Sequence, residues 1–88
     1  MPKISKINDD TFNVTVTEAV ETNHKVHLSD EYHQQLTGGN ATKEDLITYS
    51  FEFLLARESN AEILKEFDLK VIETYFPTYA KEMKDHFK

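Results

Sequence analysis

Three histidines, His24, His27 and His33, lie within ten residues, and imidazole serves both as a metal ligand and as a general base. Their spacing argues against a shared site. His24 and His27 are three apart in an alternating segment, so they project from opposite faces of a strand, and His33 falls on a following helix. All three are read as surface or edge histidines, and none as a metal ligand or a catalytic base. The acidic residues Glu58, Glu62, Glu66 and Glu73 offer carboxylates for acid–base work. Glu62 with Lys65 and Glu66 with Lys70 instead match ion pairs three and four apart on a solvated helix face. Gly38 and Gly39 stand alone, without the further glycines or the lysine that would wrap backbone amides around a phosphate. The sequence holds no HExxH pair and no serine in a nucleophile elbow. The expectation is a protein that is not an enzyme and binds no cofactor.

The composition bounds what can position such residues. Eighty-eight residues suit one domain with one core, and 39% hydrophobic with 11% aromatic residues is too rich for a chain that stays unfolded. No cysteine is present, which removes disulfides and thiolate metal sites and points to the cytoplasm. The longest apolar run, Phe53 to Ala56, is far below the roughly 20 residues of a membrane span, and the amino terminus lacks the apolar stretch of a signal peptide. A net charge of −6 repels polyanions at long range, so nucleic-acid binding would need a local basic patch.

The pattern of the first third is that of strands. Met1 to Asp10 reads as a short strand or a loose tail, closed by the turn-like cluster Asn8, Asp9 and Asp10. Phe12, Val14 and Val16 alternate with Asn13, Thr15 and Thr17, as a half-buried strand requires. Val26 and Leu28 repeat the pattern against Lys25, His27 and Ser29, with Ala19 to Asn23 as the turn of an antiparallel hairpin. Helices follow. Ser29 with Asp30 and Glu31 marks a helix start, and Gly38 with Gly39 its end. Thr42 with Asp45 is a capping box opening the longest helix, Lys43 to about Arg57, which is apolar around enough of its circumference to be central. Ser59 with Glu62 is a second box, starting a helix that carries Ile63, Leu64 and Phe67. Asp68 caps the next, in which Leu69, Ile72 and Phe76 recur until Pro77. Thr78 to Lys88 fits a terminal amphipathic helix. The fold class expected is α+β: a single domain, 1–88, with an N-terminal antiparallel β-hairpin followed by four or five packed α-helices.

Two resemblances bear on function. The segment Asn23 to Glu58, a KVHLS strand, a short capped helix, a glycine turn and a long helix begun by Thr42 and Lys43, resembles the ribbon-helix-helix family of DNA-binding regulators and antitoxins. The resemblance implies a dimer whose strands pair in the major groove, with Lys25, His27 and Ser29 toward base edges and Thr42 and Lys43 at the phosphates. Read without it, the same residues make a hairpin packed on helices with a polar face toward water. The string SFEFLLARESNAEILKEFDLKVIETYFPTYAKE, Ser50 to Glu82, resembles the C-terminal half of a group of small bacterial proteins of uncharacterised function. It implies a bacterial cytosolic protein and transfers no activity or site.

Aromatic content supplies the other functional reading. Phe67 and Phe76 belong to the core by their spacing, whereas Tyr75, Tyr79 and Phe87 exceed what a small helical core must hold and would anchor a protein partner. The reading favoured by the sequence is therefore a non-enzymatic protein-interaction module, binding another protein or a second copy of itself. A ribbon-helix-helix-like DNA-binding regulator is the alternative.

Overall fold

Alternation of polar and apolar residues builds the sheet. A computed structural model of the chain describes residues 2–88. Three strands, β1 (Lys3–Asn8), β2 (Thr11–Thr17) and β3 (Glu21–His27), form an antiparallel meander, and a fourth, β4 (Glu66–Asp68), adds in parallel to β3. The order is β1-β2-β3-β4. Phe12, Val14, Val16, Thr22, His24 and Val26 point to the buried face, while Lys3, Ser5, Thr17, Asn23 and Lys25 stand on the open one. The N-terminal hairpin is thus the middle of a four-stranded mixed sheet. Residues 3–8 form its edge strand, and the turn between β2 and β3 is Glu18–Val20, tighter than the Ala19 to Asn23 turn expected. Asn8 closes the β1–β2 turn by accepting the amide of Asp10 at 2.9 Å.

Four α-helices follow, covering the apolar face: α1 (Asp30–Thr37), α2 (Lys43–Leu55), α3 (Ile72–Tyr75) and α4 (Tyr79–His86). Local chemistry sets the ends of the first two. The Ser29 hydroxyl accepts the amide of Tyr32 at 3.1 Å, and α1 stops at Gly38, whose φ of +61° is inexpensive only for glycine. Thr42 and Asp45 form the reciprocal capping box that opens α2. Leu46, Ile47, Ser50, Phe51, Phe53 and Leu54 are all buried, so α2 is the central helix, as its apolar circumference requires.

The segment after α2 departs from expectation. Ser59 and Glu62 do form a capping box, but it opens only a single 3-10 turn, Asn60–Glu62, after which the chain extends at Ile63 and enters β4. The reason is tertiary. The carbonyl of Leu64 meets the Nδ1 of His24 at 2.7 Å and that of Lys65 accepts the amide of Lys25 at 2.7 Å, so neither is left to continue a helix. A second 3-10 turn, Leu69–Val71, capped by Asp68, leads into α3. The helical surface pairs expected at 62/65 and 66/70 do not form: Glu62 accepts from Ser59, and Glu66 pairs with His27 at 2.8 Å.

Candidate protein-docking groove

The residues singled out for chemistry are dispersed into structural tasks. His24 is fully buried on the inner face of β3, not at the surface, because the strand phase that buries Val26 buries it too. A carbonyl can only accept, so His24 carries its proton on Nδ1 for Leu64, and its Nε2, 2.9 Å from Thr22 Oγ1, accepts from that hydroxyl. Thr22 Oγ1 in turn accepts from the Asn60 amide at 2.9 Å, which also donates to the Val20 carbonyl at 2.8 Å. Burial, with Lys65 adding repulsion, holds the imidazole below its ordinary value of 6.5, against the bond to Leu64 that favours the charged form. His27 lies on the open face between Thr11 and Glu66, and Glu66 is held below the usual carboxylate range by that histidine. His33 donates from Nε2 to the Ala41 carbonyl at 2.6 Å, tying α1 to the loop before α2. No group of three or more histidine, aspartate or glutamate side chains among the described residues could hold a metal ion.

Four of the five residues that the ribbon-helix-helix resemblance would place on DNA are also engaged. β3 has β2 along one side, and β4 takes the other side at Lys25–His27, so the part that would meet base edges has no free edge for a strand of a second subunit. Ser29 and Thr42 cap α1 and α2. Lys43 is buried, its ammonium donating to the Asp9 carbonyl at 2.7 Å, to Asp10 at 3.0 Å and to Asp30 at 2.6 Å. Burial alone would lower its pKa; the hydrogen bonds to Asp30 and Asp10 outweigh that and raise it. Lys25 alone of the five is exposed with no side-chain bond among the described residues, and Glu66 sits beside it on β4.

The three aromatic candidates separate as well. Tyr79 is 0% exposed and is a core residue, not a surface anchor. Ser50 gives its own proton to the Leu46 carbonyl at 2.6 Å, so the Tyr79 hydroxyl donates to Ser50 Oγ at 2.6 Å. Burial pushes the phenol up, against the hydrogen bond to Ser50. Phe87 is half-buried, edge-on to Tyr49 with ring centres 5.8 Å apart, while Tyr49 stacks on His86. Tyr75 is 64% exposed on α3.

Tyr75 belongs to a groove whose walls come from parts of the chain far apart in sequence. The end of α2, the extended segment before β4, β4 itself and α3 border a half-open cavity of about 130 Å3. Its walls are Leu54, Ile63, Phe67, Ile72 and Phe76, and its shoulders are Leu64 and Tyr75. Leu64 is 47% exposed. Four large apolar residues stand exposed among the described residues, and these two share one cavity, whereas Ile7 and Val20 lie apart on β1 and the β2–β3 turn. Glu58 and Glu62 complete the lining. Burial, and the proximity of Glu62, push the Glu58 carboxyl above its ordinary value. A wider depression of about 480 Å3 beyond Val71 is lined by Tyr32, Asp68, Lys70 and Glu73. There the Tyr32 hydroxyl donates to Glu73 and Asp68 caps the 3-10 turn. Comparison of the chain with protein-family models, with curated proteins and with solved structures finds no match.

Proposed function

We propose that this protein is a non-enzymatic protein-interaction module of the bacterial cytosol, and that it docks its partner in the groove between the end of α2, β4 and α3. The observation that carries the reading is the pair of exposed side chains, Leu64 and Tyr75, standing over one apolar cavity. Interface anchors are typically aromatic or aliphatic groups around a pocket that a partner side chain can fill and dry. The size of the cavity supports a side chain as its occupant, since small-molecule sites are typically about 300 to 1,000 Å3. A different protein is favoured over a second copy, because two copies would each bring a net charge of −6 to the contact.

A photo-reactive phenylalanine at position 75, with one at Thr17 on the open sheet face as control, tests the reading inside the producing cell. The expected result is a discrete protein adduct at 75 that is absent at 17 and weakened by Leu64→Ser. Adducts equal at both positions, or none at 75, would contradict it.

A further inference from the structure

The charge at the rim of the groove identifies the kind of partner. Arg57, the cation nearest in sequence, is already used: it donates to the Phe53 carbonyl at 2.9 Å, lies 3.6 Å over the Phe53 ring and reaches Glu82 at 3.4 Å. Glu58 beside it has no ion-pair partner among the described residues. Glu62 accepts both its bonds from Ser59 through Oε1, leaving Oε2 without a protein partner. The amide of Glu58 closes on the Leu54 carbonyl at 2.8 Å, so this carboxylate also sits at the negative end of α2, a thirteen-residue helix with no basic side chain in its last turn. Two acidic groups therefore border an apolar cavity with no cation among its lining residues, while Arg57 answers the carboxyl end of α2 through the Phe53 carbonyl.

We infer that the groove receives a basic amphipathic segment of the partner, one apolar side chain filling the cavity and an adjacent lysine or arginine meeting Glu58 and Glu62. The inference rests on the reading of this groove as a docking face. The volume suits one residue: about 130 Å3 is close to the roughly 150 Å3 of an engineered apolar cavity that takes a benzene. A cation brought by the partner would favour the ionised form of Glu58 that burial and Glu62 now disfavour. The net charge of −6 attracts such a segment from a distance and repels an acidic one.

Selection from a random twelve-residue peptide library tests this, on the wild-type chain and separately on Glu58→Gln and Tyr75→Ala. Both substitutions are at positions at least partly open to solvent, and circular dichroism would confirm that the fold is kept. The expected peptides place lysine or arginine next to an apolar residue. Their affinity falls roughly three- to tenfold on Glu58→Gln and also falls as salt rises, and it is lost on Tyr75→Ala. Peptides that are neutral, indifferent to Glu58→Gln and still lost on Tyr75→Ala would overturn the basic partner while leaving the docking face standing. Peptides that bind Tyr75→Ala as well as wild type, or no enriched peptide, would overturn both.

Discussion

His24 and Lys43 show how a polar side chain can be buried without being a site. Each of their hydrogen-bonding groups has a partner, and among the described residues no buried side-chain nitrogen or oxygen lacks one. His24 is held neutral by burial, so its folded pKa lies below the 6.5 of the exposed group. The unfolded chain then binds the proton first, and stability must fall as pH drops below about 6.5 and level off once the folded value is passed. Thermal midpoints measured between pH 8 and 5 are expected to decline in the wild type, and less steeply in His24→Gln, which cannot gain the proton. Lys43→Met keeps the stem but leaves Asp10 and Asp30 without their shared cation, and is expected to lower the midpoint by several degrees. An unchanged midpoint would show that the ammonium is dispensable to the fold. Glu58 runs the other way. Its raised pKa means that ionisation opposes folding above its ordinary value of 4.5, so Glu58→Gln should raise the midpoint slightly at pH 7. A substitution that stabilises the chain while weakening its ligand marks a residue kept for binding.

At the scale of elements, α2 and the segment after it decide the groove. Leu54 is buried in the last turn of α2 and forms a wall of the cavity. Leu54→Ala is expected to cost about 2 to 5 kcal/mol by removing packed atoms without collapse of the site, measurable by denaturant unfolding. Gly38→Ala forces a side chain into the left-handed region at φ +61°, and should cost about 1 to 2 kcal/mol by the same measurement. Elements whose ends are set by neighbouring residues were legible in the sequence: Ser29, Gly38 and the Thr42–Asp45 box each act within a few positions. β4 was not legible. Its extended form answers a histidine forty positions earlier in the chain, and Ile63 and Phe67 at helical spacing spoke for a helix instead. The burial of Tyr79 was hidden for the same reason, since the acceptor for its hydroxyl, Ser50, comes from another helix. Tyr75 stands out in the sequence as an aromatic beyond the needs of the core, whereas Leu64 reads as part of a helix and lies in extended chain instead.

For the whole molecule, the mixed sheet leaves one face open and polar, with helices on the other, and no described helix is long and apolar enough to cross a membrane. The open face carries Lys25 and His27 but also Glu66, so it is not a basic surface of the kind that phosphate attraction needs. The groove at the end of α2 combines a half-open apolar cavity with two acidic groups, and its shoulders, Leu64 and Tyr75, are large apolar side chains left outside the core. Its location can be read directly. Amide chemical shifts of the labelled protein, followed as a library-selected peptide is added, should move in residues 54–76 around Leu64 and Tyr75 and stay still at Asn13, Thr15, Asn23 and Lys25 on the open sheet face. Shifts confined to that sheet face would contradict the account and return attention to Lys25 and its neighbours.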